Sequence, residues 1–321
     1  MLKIRLSDKV ALPGSSGQAG FSIVELLVST TIGLGLLLLT TTLYIGSSAS
    51  FRLNNEHMRL HQDASYAINL MARHVRQAGF GNPVLADTQA GAGQVTDFIP
   101  IDGVTASGLH GCDNGYVRPL GSGRNFSCSA NPGMASVEVS YRVDDQHDAA
   151  AGRGVDCNGA QPTATTVPFD HPAYRLAPRV MIVRNRFFVA TGAGKTANSL
   201  YCHGNGNNSA QPIINNIEEM RLTYAVAALG DATPVQFLSA SGVDALPGDQ
   251  EENWRRVVSV KLCLQIRSEY EVTPAPQQYM DCSGAAKLAT DRKLRAVLAR
   301  VITLRNRATG TLLQPPEELM E

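Results

Sequence analysis

Charge is what this sequence has least of. Lysine, arginine, aspartate and glutamate make up 17% of the 321 residues, and 28 basic side chains cancel 28 acidic ones. A neutral chain has no global field to draw it to nucleic acid or anionic lipid. Aromatic residues are few as well, at 6%, with one tryptophan. No Gly-x-Ser-x-Gly, His-Glu-x-x-His, phosphate loop, or Gly-x-Gly-x-x-Gly in a strand-to-helix setting occurs. Those absences remove the common hydrolase, zinc-peptidase and nucleotide signatures. None of the six cysteines stands in a Cys-x-x-Cys pair, and an even, scattered set speaks for disulfides over zinc. The expectation is a protein that is not an enzyme and needs no cofactor or metal, in an oxidising compartment.

In one place charge disappears altogether. From Leu26 to Phe51 there is no charged residue over 26 positions, and about 20 apolar residues suffice to cross a hydrocarbon core. Lys3, Arg5 and Lys9 precede the run and Arg52 follows it. A basic leader stays cytoplasmic, which puts the rest of the chain outside. A cleaved secretory signal has a shorter apolar region with its cut site beyond it. Ser48-Ala49-Ser50 imitates such a site, but the run before it is too long. A plain signal anchor leaves Glu25 unexplained, because a carboxylate at the edge of an apolar span is costly without a partner.

Gly20, Phe21 and Glu25, in G-FSIVELLV, resemble the class III signal of type IV pilins and type II secretion pseudopilins. The resemblance implies that a prepilin peptidase cuts between Gly20 and Phe21 and that Phe21 is then N-methylated. It also makes Glu25 the fifth mature residue, acting in assembly. The leader, residues 1–20, is longer than that of many major pilins. Cleavage leaves an α-amine on Phe21 about one helical turn from the Glu25 carboxylate. A buried ion pair adds little stability, yet leaving one partner alone costs about 3–5 kcal/mol. Setting axial register between subunits is therefore the role that suits Glu25.

Beyond the span, Leu53, His57, Leu60, Ala64, Ala67, Met71, Val75 and Ala78 recur at spacings of three and four, one stripe of an amphipathic helix. Gly79-Phe80-Gly81-Asn82-Pro83 ends it. The expected fold is α+β: residues 1–20 a leader, 21–51 the membrane and filament-core half of a long helix, 52–79 its amphipathic half, and 80–321 a β-rich extracytoplasmic head. Alternation predicts strands at 137–143, 180–190, 258–266 and 295–305. Residues 213–228 read as a short helix or as a strand. Stretches around 88–95, 111–133, 144–166 and 203–212 read as long glycine- and asparagine-rich loops. His57 and His61, at i and i+4, have zinc-site spacing, but Met58 stands where the metalloprotease motif needs glutamate, so a helix surface is the expectation. Asp144, Asp145, Asp148 and Asp156 form an acidic cluster without EF-hand spacing, expected to be a solvated loop.

LMARHVRQAGFGNP, IEEMRLTYAV, WRRVVSVKLCLQIRS and VITLRNR resemble the PilW-type minor pilins. That implies a structural subunit of a pilus tip complex that primes assembly and supports motility and adhesion. It begins as a single-pass inner-membrane protein and ends on an extracellular pilus. The implied partners are the prepilin peptidase, other minor pilins and the major pilin through their N-terminal helices, and the inner-membrane assembly platform, with no nucleic acid. The alternatives are a J-type minor pseudopilin of type II secretion or an adhesin-like tip head. For the cysteines, the local pairing Cys112–Cys128, Cys157–Cys202 and Cys263–Cys282 closes glycine- or proline-rich loops.

Overall fold

The structure is a computed structural model that describes residues 20–81, 107–143, 154–166, 179–228 and 233–307. It separates into two compact units, Met1–Arg52 and Leu53–Glu321. One helix, α1 (Ile23–Val75), runs through the boundary between them.

The start of α1 follows from its first residues. Ser22 Oγ accepts from Val24 N–H at 3.3 Å, and Glu25 Oε2 accepts from Ser22 N–H at 3.2 Å. That is a Ser-x-x-Glu capping box, which satisfies two of the orphan donors at a helix start. The following apolar stretch is long enough to cross a membrane, and its most apolar 18-residue window is unburied. Its hydroxyls do not need water. Ser29, Thr30, Thr31, Thr40, Thr41 and Thr42 donate to carbonyls three or four residues back, at 2.7–3.1 Å, as lipid-facing backbone and side chains require.

In the second unit the helix becomes amphipathic. Leu60, Ala64, Ala67, Ile68, Met71, Ala72, His74 and Val75 are buried. Burying each large aliphatic among them contributes about 1.5–3 kcal/mol. The expected stripe needs amending at both ends: His57 is exposed and Leu53 half-buried, while Ile68, Ala72 and His74 join the buried face. The α-helix stops at Val75, short of the expected Gly79, and single turns carry the chain on. Gly79, at φ +73°, gives its N–H to Ser140 O at 2.9 Å, where a Cβ would meet Ser107 O at 2.8 Å. Only glycine accepts both constraints.

Among the described residues the head has two larger antiparallel sheets. The first comprises β1 (Leu109–Cys112), β4 (Ser136–Val143), β6 (Arg179–Thr191), β7 (Asn198–Gly204) and β8 (Ala210–Asn215) in that spatial order, with β5 (Thr165–Thr166) also on β6. The second has the order β10 (Pro234–Leu238), β9 (Ile217–Ala227), β11 (Val257–Glu271), β14 (Lys293–Thr303). The described residues also include two small hairpins: β2 (Tyr116–Arg118) with β3 (Asn125–Cys128), and β12 (Gln278–Met280) with β13 (Ala286–Leu288). Short helices α2 (Ala240–Asp244) and α3 (Gln250–Arg255) lie between β10 and β11, capped by Ser239 and Asp249. The chain passes from the first sheet to the second at Asn216, at φ +61°, a conformation asparagine tolerates better than most residues. Its carbonyl accepts from Arg267 N–H.

One core joins the buried helix stripe to both sheets, through Val137, Val139, Phe187 and Leu200 on the first and Met220, Leu222, Tyr224, Val260, Leu262 and Leu264 on the second. Several expected loops are strands. Residues 111–133 carry the end of β1 and the whole β2–β3 hairpin, and 203–212 is largely the β7–β8 turn with the strand ends beside it. Residues 213–228 contain no helix, since β8 and β9 follow each other there. Those segments are rich in glycine and asparagine because the turns are tight. The expected loop at 88–95 lies outside the described residues.

Candidate functional site

The processing junction sits in the open. Gly20 and Phe21 are exposed, Phe21 at 87%, and a Cβ built on Gly20 meets nothing within 4 Å. This fold thus places no steric demand on glycine at position 20. The Glu25 carboxylate is turned back onto the Ser22 amide, one residue from the bond in question. The capping role is also written in the sequence, as Ser22-x-x-Glu25, beside the charge that suggests a role in assembly. Gly33, Gly35 and Gly46 likewise have open space around a built Cβ.

Where the helix reaches the head, a polar knot ties it to the first sheet. Asn185 Oδ1 accepts from Cys157 N–H at 2.9 Å, so its amide nitrogen faces His74 Nδ1 at 3.0 Å. The Tyr141 hydroxyl lies 2.7 Å from the same Nδ1, and Arg73 Nη2 lies 3.4 Å from Nε2. The imidazole is neutral. Burial, helped by the neighbouring Arg73 charge, pushes its pKa down from 6.5 to about 3.

The three disulfides are Cys112–Cys128, Cys157–Cys202 and Cys263–Cys282, with Cα separations of 5.3, 6.3 and 5.7 Å. Each fastens an excursion to a strand. The second is reinforced by Asp156, which is not the solvated loop residue expected but fully buried. Its carboxylate accepts from Asn158, Ala160 and Gly206 N–H at 2.8–2.9 Å. Asp144, Asp145 and Asp148 lie outside the described residues. The third pins the β12–β13 hairpin over the second sheet. At its turn, Asp281 accepts from the Ser283 and Ala285 amides and pairs with Lys287 at 2.8 Å, which holds its pKa well below the usual range.

Beneath that hairpin, Arg295 makes a two-pronged contact with Glu218, at 2.7 and 2.9 Å, and reaches Asp291 at 2.7 Å. Gln265 donates to Glu218, and Arg267 stands 3.5 Å from it. Two cations and two carboxylates close on themselves here, leaving no free nucleophile or base. Metal geometry is also poor. His110 lies near Cys112 and Cys128, but both sulfurs are bonded to each other and offer no thiolate. His57 and His61, with ring centroids 4.7 Å apart, project from the exposed helix face, and among the described residues neither joins a potential metal-ligand group.

Residues 186–306, a little over a third of the chain, match the PilW family, described as type IV pilus-assembly protein W. The matched segment runs from within β6 to the turn after β14, so it includes the whole second sheet. No curated protein sequence matches the chain significantly. Among solved structures, the type IV-like pilin TTHA1219 from Thermus thermophilus aligns over 78% of this chain and 97% of its own, at 11% identity and a TM-score of 0.38. The family match, together with the N-terminal signal, supports a type IV pilin of the PilW type.

Proposed function

We propose that this protein is a type IV pilin and a minor subunit of its pilus. In this reading the leader, residues 1–20, is cut off between Gly20 and Phe21, Phe21 is N-methylated, and residues 21–51 enter the membrane and then the filament core. Residues 52–79 hold the head, 80–321, which belongs to a tip complex that primes assembly and supports motility and adhesion. The observation that carries the reading is the long apolar start of α1. None of its most apolar window is buried, and every hydroxyl named above is satisfied within the helix. Such a surface needs lipid or other helices around it, and helices associate there by close packing at small residues such as Gly33 and Gly35.

Membrane anchorage comes first, with the head in the periplasm, and a place on the pilus follows. The partners are other pilins through their N-terminal helices, with the prepilin peptidase and the assembly platform acting earlier. Mass analysis of the processed N-terminus tests the first step. A start after Ser50, or an intact Met1, would sink the class assignment. Imaging pili in a deletion strain tests the second. Lost piliation supports the tip role, whereas normal pili with failed enzyme secretion would transfer the protein to the type II secretion pseudopilins.

A further inference from the structure

All six cysteines lie among the described residues, and they differ in access. Cys128 is exposed, Cys157 and Cys282 are half-buried, and Cys112, Cys202 and Cys263 are buried. The bridge from Cys128 to Cys112 also has a neighbour of its own. His110 and Cys112 stand two apart on β1, opposite Glu138 and Ser136 of β4, and so share one face of the strand. An imidazole nitrogen and the two sulfurs therefore lie within 4.8 Å of one another, and among the described residues neither other bridge has a histidine or carboxylate so placed. The ring is held from two sides. Trp254 packs against it with centroids 4.9 Å apart, and Asp244 Oδ1 stands 3.9 Å from Nε2. Asp244 is itself fixed by the Trp254 indole N–H and the Gln250 amide, both at 2.7 Å. The His110 side chain is 27% exposed, so the imidazole is open to solvent.

We propose that Cys112–Cys128 is a site of thiol–disulfide exchange, opened by a dithiol at Cys128 while His110 stabilises the departing Cys112 thiolate. A thiolate of the dithiol attacks Cys128 Sγ from the exposed side. A new S–S bond forms there as the Cys112–Cys128 bond breaks, and the electron pair leaves on Cys112 Sγ. Exchange is faster when the leaving thiolate is stabilised, and burial in apolar surroundings does the opposite. The imidazole N–H supplies the stabilisation by donating to Cys112 Sγ. The second thiol of the dithiol then displaces Cys128. Two electrons and two protons have moved, the dithiol ends as a disulfide, and both cysteines end as thiols.

The consequence of opening is local. Asp113 follows Cys112, and its carboxylate accepts from the Ala240 and Ser241 amides of α2 at 2.8 and 2.9 Å, so the end of β1 stays anchored. The β2–β3 hairpin loses its covalent tie. It is still held by Phe126, whose ring lies 5.4 Å from Tyr116 and 6.4 Å from Phe188, and by Arg124 on Asn208 O.

The test treats the full mature chain in detergent with dithiothreitol at neutral pH, quenches samples with an alkylating reagent, and maps the labelled cysteines by mass. Cys112 and Cys128 are labelled together, about 10-fold or more ahead of the other four, as exposed bridges are the labile ones. Their rate rises in proportion to dithiothreitol. His110→Phe keeps a ring against Trp254 but removes the donor. It slows this bridge about 10-fold, the worth of a hydrogen bond to a charged group, and leaves the other two bridges at their own rates. His110→Gln, which keeps an N–H, recovers part of the rate. The proposal fails if Cys157–Cys202 or Cys263–Cys282 opens first, or if His110→Phe opens Cys112–Cys128 at the wild-type rate. It also fails if the rate ignores dithiothreitol concentration, because the bond then opens only through unfolding. None of these outcomes bears on processing at Gly20 or on piliation.

Discussion

His74 makes the stability of the head depend on pH in a calculable way. Its pKa is 6.5 when exposed and about 3 in the fold, so below 6.5 the unfolded chain binds a proton that the native chain refuses. Its contribution is therefore intact above pH 6.5 and is lost as pH falls toward 3. Linkage gives a loss of about 2 kcal/mol between pH 7 and pH 5. His203, pushed down to about 4, loses stability over the same window with the same sign, so the wild-type slope is a sum. His74→Gln isolates the first part. Glutamine can still hydrogen-bond with Tyr141 and Asn185 but cannot titrate, so it costs stability at pH 7 yet flattens the dependence by about 2 kcal/mol. The carboxylates held low, Asp113, Asp281 and Asp291, titrate below this window. The assay is urea unfolding of the oxidised mature protein in detergent, at constant ionic strength. Trp254 is the only tryptophan and is 1% exposed, so its emission reports the head core. Equal changes for wild type and His74→Gln between pH 7 and pH 5 would refute the neutral, buried histidine.

Three further outcomes are expected. Glu25→Gln keeps the capping contact to Ser22 but removes the charge, whereas Glu25→Ala removes both, so failure of the two alike to enter pili assigns Glu25 to charge pairing, and normal entry of Glu25→Gln assigns it to the cap, worth about 1 kcal/mol. Non-reducing peptide mapping recovers Cys112–Cys128, Cys157–Cys202 and Cys263–Cys282; breaking the last, which closes a 19-residue separation, lowers stability by about 3 kcal/mol, and a free Cys263 would contradict the fold. Arg295→Met strands Glu218 and Asp291 without their main partner and destabilises the head by about 3 kcal/mol; a loss under about 1 kcal/mol in the same urea assay, the scale of an exposed pair, would show that Arg267 alone suffices.

The chain itself determined those features whose cause is local or periodic. A charge-free run, the residues around Gly20, a three-and-four stripe and strict alternation each leave a mark in neighbouring residues. Helix α1 and strands β4, β6, β11 and β14 were therefore legible. So was the Ser22–Glu25 cap, had the polar pattern been sought beside the apolar one. Glycine and asparagine, by contrast, mark tight turns and long loops alike, so the β2–β3 hairpin and the β7–β8 turn were hidden inside expected loops. Burial was equally out of reach for Asp156 and His74. Each looks like a surface residue until partners distant in sequence arrive: Gly206 for the aspartate, Tyr141 and Asn185 for the histidine. Only the tertiary structure supplies those partners, because a hydrogen bond across fifty or a hundred residues has no sequence period to betray it.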